Sequence, residues 1–149
     1  MADHGINVTR ADTAVATPNT ATSGIPFVIG TAPLSKATGT AATAGIPVLC
    51  TSYSEAVEQL GYDDDWKKYP LCEVMYYHFK LCQCQPVIFL PVGETAEAAE
   101  VAAAIEQIEL CLTMFGIVPD LIMAPGFSDD ATVAAGMAAK VGAINGMFY

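Results

Sequence analysis

The segment that decides the fold is LIMAPGFSDD, residues 121–130, which is followed by an alanine-rich stretch that ends near Gly146. Its first residues have the apolar pattern of a short buried strand, and Pro125-Gly126 indicates a tight turn. Ser128 is predicted to be the N-cap of the helix that follows. A strand that ends in a turn and leads into a helix is half of a βαβ unit. The segment therefore predicts a parallel sheet covered by helices.

The rest of the chain repeats this alternation. Further buried-strand patterns lie at residues 25–30, 46–50 and 86–92, and helical patterns lie at residues 55–60, 70–81 and 94–115. Unbroken apolar strands between amphipathic helices are typical of an α/β domain, so we predict a largely parallel sheet flanked by helices. Ser52 or Ser54 is expected to cap the first helix. In the last of these helices the apolar positions with helical spacing are Val101, Ile105, Ile108, Leu112 and Phe115.

The N-terminal 24 residues differ from this pattern. Residues 5–10 alternate apolar and polar side chains, as one strand does, and residues 11–24 are small and polar. A single strand is not stable alone, so it must fold back on the body or add to the sheet of another chain. We predict a flexible, extended N-terminal arm and linker at 1–24 and an α/β domain at 25–149. The domain is expected to be incomplete at its C-terminus, because Met147-Phe148-Tyr149 has the pattern of a return strand that has just begun.

Composition excludes several function classes. The chain has 149 residues, 53% of them hydrophobic, and a formal net charge of −10 from 16 acidic and 6 basic side chains. Nucleic acids and anionic membranes require clustered Lys and Arg, so we expect neither as a partner. The apolar stretches are too short to cross a bilayer, and no basic segment followed by an apolar one suggests a signal peptide. We therefore expect a cytoplasmic protein.

The five cysteines are an odd number without a secretion signal, which favours reduced thiols. Cys72, Cys82 and Cys84, with His78 one helical turn before Cys82, are a possible set of soft metal ligands. Structural zinc prefers two cysteines separated by two residues, so thiols at a helix end are the simpler interpretation. Metal binding by these four residues stays open at this point.

No other pattern of residues supports catalysis or cofactor binding. Gly30 ends a strand as in a dinucleotide-binding turn, but the other glycines of that motif are missing and Pro33 removes a donor. His78 lies on a predicted helix and His4 in the arm, so no cysteine has an evident base. The acidic side chains of the third helical region predict a solvated face, which could meet a basic partner; they are Glu94, Glu97, Glu100, Glu106 and Glu109. We assign no catalytic, cofactor-binding or metal-binding residues, and we expect no enzyme.

Five motifs in the same order suggest a family. They are HG at residues 4–5, PFVIGTAP at 26–33, PVLCTSYSEA at 47–56 with LG at 60–61, LTMFGIVPD at 112–120, and IMAPGFSD at 122–129 with the helix behind it. Together they resemble the N-terminal portion of the contractile tail sheath proteins of bacteriophages, including the sheaths of R-type bacteriocins and related contractile injection systems. Arg10 and Ala11 depart from the family pattern, in which an acidic residue follows the first strand.

The resemblance implies a structural subunit, or a fragment of one, rather than an enzyme. Such subunits form hexameric rings stacked in a helical sheath around an inner tube, and the sheath contracts to drive the tube through a cell envelope. The implied partners are neighbouring sheath subunits, which exchange arms by strand addition, and the tail tube protein and baseplate in the full-length protein. The implied location is the bacterial host cytoplasm during assembly, and then a virion tail or phage-tail-like particle.

One alternative from a different class remains. Active sites of α/β enzymes often lie where a strand ends in a turn, as residues 125–128 do. A small cytoplasmic α/β enzyme or ligand-binding domain that uses the turn Pro125–Ser128 is therefore the second interpretation.

Overall fold

A computed structural model describes residues 24–84 and 86–144, together with the backbone of residues 147–148. The predicted arm at residues 1–24 lies outside the described residues, except for Gly24. The strands are β1 (Pro26–Gly30), β2 (Val48–Cys50), β3 (Val87–Pro91), β4 (Leu121–Met123) and β5 (Met147–Phe148). The helices are α1 (Tyr53–Leu60), α2 (Pro70–Met75), α3 (Ala98–Ala104), α4 (Leu110–Phe115) and α5 (Ala131–Ile144). Short 3-10 turns lie at Leu34–Lys36 and Ile105–Glu109, and a π-helix at Tyr76–Leu81 continues α2.

The strands form one sheet in the order β2-β3-β1-β4-β5. Strand β1 pairs in parallel with β3 and with β4, and β4 pairs in parallel with β5. The edge strand β2 runs antiparallel to β3. The prediction of an α/β fold with a largely parallel sheet is therefore confirmed.

Helices cover both faces of the sheet, and alternate side chains of β1 point to opposite layers. Phe27 and Ile29 join the core beneath α3, α4 and α5, whereas Val28 joins the core beneath α1 and α2. All three side chains have no exposed surface. Each such side chain contributes roughly 1.5–3 kcal/mol by leaving water. This double burial explains why the strand patterns in the sequence are continuous rather than alternating.

The ends of α1 follow the sequence rules for helix caps. The side chain of Ser52 accepts a hydrogen bond from the backbone N–H of Glu55 at 3.2 Å, so Ser52 is the N-cap. The helix ends at Gly61, whose φ is 75° and whose ψ is 176°. A Cβ at Gly61 would lie 2.2 Å from the carbonyl oxygen of Pro33. Glycine is therefore required at this position for both backbone conformation and space.

The α3–α4 region buries a different set of side chains from the predicted one. The residues that face the core are Val101, Ile105, Ile108 and Cys111, whereas Leu112 is 59% exposed. The 3-10 turn at Ile105–Glu109 has about 3.0 residues per turn, so buried positions recur every third residue through it. The prediction that Leu112 belongs to the buried face was wrong, because that prediction assumed the spacing of a continuous α-helix.

The N-cap of α5 also differs from the prediction. The carboxylate of Asp130 accepts hydrogen bonds from the backbone N–H groups of Thr132 at 2.8 Å and Val133 at 3.3 Å. Between β4 and α5 the chain makes two successive turns, closed by hydrogen bonds from Phe127 N–H to the Ala124 carbonyl and from Asp130 N–H to the Phe127 carbonyl. These turns place the cap two residues beyond Ser128, so the prediction of Ser128 as N-cap was wrong.

Replacing Gly61 with alanine is expected to destabilise the chain by more than about 3 kcal/mol, because the Cβ would meet the Pro33 carbonyl in a backbone conformation that is restricted to glycine. Gly45→Ala is the matched control: Gly45 has a φ of +79° but open space around it, so about 1–2 kcal/mol is expected. Urea unfolding measures both free energies. Equal losses for the two variants would contradict the close approach at Gly61.

The register through the 3-10 turn predicts unequal effects for two aliphatic side chains. Ile105→Ala should lower the free energy of unfolding by about 2–5 kcal/mol, since this side chain is fully buried. Leu112→Ala should change the free energy of unfolding by less than about 0.5 kcal/mol, as is usual for a substitution at an exposed position. Thermal or urea unfolding of the two variants tests this register, and a larger loss at Leu112 would show that the region is one continuous α-helix.

Candidate functional site

The candidate site is a groove between α2 with its π-helix and the β4 side of the sheet. Its volume is about 370 Å³, and the lining residues are Pro26, Glu73, Val74, Tyr77, His78, Cys82, Met123 and Pro125. Most of this lining is apolar, and the four side chains that can ionise, Glu73, Tyr77, His78 and Cys82, all come from one continuous helical segment and its C-cap. Pro125, from the turn that the sequence singled out, forms part of the wall.

The π-helix places the side chains on the helical wall of the groove. Pro70 occupies the first turn of α2, where its missing N–H costs nothing, and the segment continues into the wider π turn. Within that turn the Cys82 N–H donates to the carbonyl of Tyr77 at 2.9 Å, five residues back. Such π turns change which side chains face outward, and they are frequent at functional sites. Here Tyr77 is 46% exposed and Leu81 is 55% exposed.

His78 is the unusual polar residue of the groove. Its Nε2 atom is buried and has no hydrogen-bond partner among the described residues. Burial lowers the pKa of His78 below its usual value, so the imidazole is neutral at pH 7. The ring packs edge-on against Phe79, with 5.3 Å between the centroids. A buried ring nitrogen without a partner is unfavourable, and a bound polar group that hydrogen-bonds to it would relieve that cost.

The four residues considered as metal ligands do not converge. Cys72 is buried in the core, where desolvation raises the pKa of its thiol to about 11. Cys82 and Cys84 are exposed beyond the end of the π-helix. In the part of the chain that the structure describes, no three His, Cys, Asp or Glu side chains come together as a metal-binding group. The metal hypothesis for Cys72, His78, Cys82 and Cys84 therefore has no geometric support there.

The turn at residues 125–128 is mainly a packing element. Gly126 has a φ of +80°, and a Cβ there would be in ordinary contact with Pro70 at 3.7 Å. Phe127 packs against the core beneath α3 and α5. Ser128 is exposed. Of these four residues only Pro125 lines the groove, so the turn positions two layers of the fold against each other.

Four of the five acidic side chains of the predicted solvated face are exposed, whereas Glu94 is half-buried, and part of the face is also paired within the chain. The ammonium group of Lys140 on α5 lies 2.5 Å from Glu106 and 2.6 Å from Glu109. These two carboxylates raise the pKa of Lys140. Glu94 accepts a hydrogen bond from the Ser35 N–H at 2.7 Å, and hydrogen bonding from the side chain and then the backbone of Ser35 lowers the pKa of the Glu94 carboxyl. These acidic residues therefore stabilise contacts between elements as well as facing solvent.

An exposed apolar surface lies on the opposite layer from the groove, a feature that helical periodicity alone missed. We call it the α4 patch; it consists of Leu110, Leu112, Met114 and Val118. Leu112 and Val118 line the same shallow pocket, and exposed apolar surfaces mark interaction sites in soluble proteins. No helix among the described residues is long and apolar enough to cross a membrane.

Comparison with known proteins shows the fold. No family model matches this chain, and no curated protein matches it either. The chain is similar to a chain in the cryo-EM structure of the anti-feeding prophage (AFP) baseplate in contracted state, with a TM-score of 0.51 and 17% sequence identity. The match covers 99% of this chain and 39% of that one, so this chain spans well under half of the length of the protein it matches. The two chains share a fold.

The burial of His78 predicts a pH dependence of stability. The pKa of His78 is lower in the folded chain than in the unfolded chain, so the unfolded chain binds this proton first as the pH falls. The stabilisation is complete above about pH 6.5, the unperturbed His pKa, and is lost as the pH falls through that value towards the folded pKa. Urea unfolding between pH 7.5 and 5 should show a steeper loss for the wild type than for His78→Gln. Equal slopes would show that His78 is not held neutral in the fold.

Proposed function

We propose that this chain is a structural subunit, or a portion of one, of a contractile tail sheath. The sheath polymerises around an inner tube and contracts to drive the tube through a cell envelope. The proposal includes no catalytic step, no cofactor and no metal.

The observation that carries the proposal is the fold likeness over 99% of the chain to a chain in a contracted AFP baseplate. The resemblance of five short motifs to sheath proteins points to the same class of contractile machine. Three of the motifs also coincide with strands of the sheet and the segments that follow them. Residues 26–33 are β1 and its exit, residues 47–56 contain β2 and the start of α1, and residues 121–130 are β4 with its turn.

The surfaces of the chain suit assembly with other chains. The α4 patch exposes apolar side chains on one layer, and Tyr77 and Leu81 do so on the other. Subunits that meet through two different surfaces form rings or helices rather than closed pairs. Edge strand β2 is only three residues long and, within the described part of the chain, pairs on one side only, with β3, so its outer backbone groups are candidates for strand addition.

The proposed partners follow from this assembly. Neighbouring sheath subunits would exchange arms by strand addition through residues 5–10, and the tail tube protein and the baseplate would contact the full-length protein. Contraction would draw its energy from differences in subunit packing between two arrangements of the sheath. The proposed location is the host cytoplasm during assembly, and then the tail of a virion or phage-tail-like particle.

Immunogold electron microscopy tests the proposal directly. Antibodies raised against this chain are applied to particles isolated from the organism that encodes it. We expect gold along the whole length of the tail shaft, and along a shorter and wider interval in contracted particles. Label confined to one end would replace the sheath assignment with a baseplate component, and the absence of label from any tail-like particle would refute the structural proposal.

One observation favours the alternative of ligand binding. The groove combines apolar walls, a contribution from Pro125, and a His78 Nε2 atom that has no hydrogen-bond partner in the described part of the chain. A small molecule with an apolar body and one hydroxyl or amide group would fit this combination. Screening small fragments by NMR, with the His78 ring signals as the reporter, tests this alternative. Saturable shifts in the wild type that His78→Phe removes would support ligand binding, and no shifts at millimolar fragment would exclude it.

A further inference from the structure

Two exposed cysteines next to the groove form a feature that the proposed function does not use. Cys82 and Cys84 are free thiols separated by one residue, at the point where the π-helix ends. Cys82 also lines the groove beside Tyr77 and His78. The question is whether these thiols act as two separate surface groups or as a pair.

The backbone between the two cysteines is turned in an unusual way. Gln83 has a φ of 52°, and it is the only residue other than glycine with a positive φ among the described residues. This conformation is uncommon for a side chain as long as that of Gln, and it folds the chain back on itself. The Sγ atom of Cys84 consequently lies 3.6 Å from the carbonyl oxygen of Cys82. The Cys84 side chain is therefore directed back towards Cys82.

Hydrogen bonds attach this turn to the helix. The Cys82 N–H donates to the carbonyl of Tyr77 at 2.9 Å, and the Cys84 N–H donates to the carbonyl of His78 at 3.0 Å. Both cysteines are therefore held by the same helix end. A disulfide requires Cα atoms that lie about 4.4–6.8 Å apart. Two residues on either side of a tight turn meet this requirement more readily than two residues in an extended strand.

The other three thiols are not competitors. Cys50, Cys72 and Cys111 are buried in the two cores. Burial raises the pKa of Cys50 and of Cys111 to about 12 and that of Cys72 to about 11. Since the thiolate is the nucleophile, these thiols are unreactive in the folded chain. Thiol chemistry of the native protein is therefore confined to Cys82 and Cys84.

We propose that Cys82 and Cys84 are a vicinal dithiol site that exchanges with small disulfides of the glutathione class. In the first step the thiolate of one cysteine attacks a sulfur of the oxidised small disulfide, forms a mixed disulfide and releases one small thiol. In the second step the other cysteine, as its thiolate, attacks the protein sulfur of that mixed disulfide. The Cys82–Cys84 disulfide forms, the second small thiol leaves, and the oxidant has been reduced to two thiols while the protein loses two hydrogen atoms.

The ring size predicts that this disulfide is labile. A bond that spans one intervening residue is exposed and strained, and disulfides of this kind have more oxidising potentials than structural ones. The pair is therefore expected to be a dithiol in a reducing cytoplasm and to close when the small-disulfide pool becomes oxidised. Because Cys82 forms part of the groove wall, closure alters that wall. This inference does not depend on the proposed function.

The test uses the intact folded chain with oxidised glutathione, followed by acid quenching and mass spectrometry. We expect a species that has lost the mass of two hydrogen atoms, with three thiols left to titrate after denaturation out of the five in the sequence. Fragmentation should locate the bond between Cys82 and Cys84. Cys82→Ser and Cys84→Ser should each stop at a stable adduct with one glutathione, because the resolving thiol is missing.

A matched variant separates the geometry of the turn from the spacing in the sequence. Lys80→Cys combined with Cys84→Ser places two thiols at the same spacing, one in the last turn of the π-helix and the other at its C-cap, Cys82, where the backbone is still helical and side chains two residues apart do not face each other. This variant should accumulate glutathione adducts without closing. Three results would each overturn the proposal. The first is equal disulfide formation in the variant and the wild type, and the second is accumulation of glutathione adducts or of linked dimers in the wild type. The third is reaction in the folded chain at Cys50, Cys72 or Cys111.

Discussion

The structure depends on the complete burial of β1 between two neighbouring strands and two helical layers. Strand β1 is paired with β3 on one side and with β4 on the other, and neither of its faces meets solvent. Each of its side chains must therefore fit one of two separate cores. All other elements are positioned relative to this strand, because the helices on each face cover the residues that β1 directs towards them. A polar side chain within Phe27–Ile29 would be buried without a partner in one core or the other.

The double burial of β1 also explains why the turn between β4 and α5, where an α/β enzyme often has its active site, has no catalytic side chains. The strand–turn–helix unit at residues 121–130 uses its turn to connect the two layers: Phe127 packs against one core, and Gly126 lies against Pro70 of α2. Polar groups collect instead along the π-helix, where the helix widens and faces the groove. The features suited to interaction are therefore the groove, the α4 patch and the sheet edges.

The elements that were predicted well are those with local causes. Ser52, one of the two predicted caps, begins α1 because capping depends on neighbouring residues. The predictions that failed depended on where an element lies relative to the sheet. Leu112 is exposed because a 3-10 turn changes the rotation of α4, and Asp130 replaces Ser128 as the cap because two turns separate β4 from α5. The orphaned nitrogen of His78 could not be found from sequence, since it results from burial by residues distant along the chain.

The sequence by itself determined the α/β class, the positions of the strands and most helices, and the absence of a nucleotide-binding motif. These follow from apolar periodicity, glycine and proline placement and residue types, all of which act over a few neighbouring residues. Only the tertiary structure decided that β2 runs antiparallel at one edge, that a π-helix lines a groove, and that Cys82 and Cys84 lie apart from Cys72. The physical reason is that strand order, helix rotation and the exposure of a thiol depend on packing between distant segments, which local patterns do not specify.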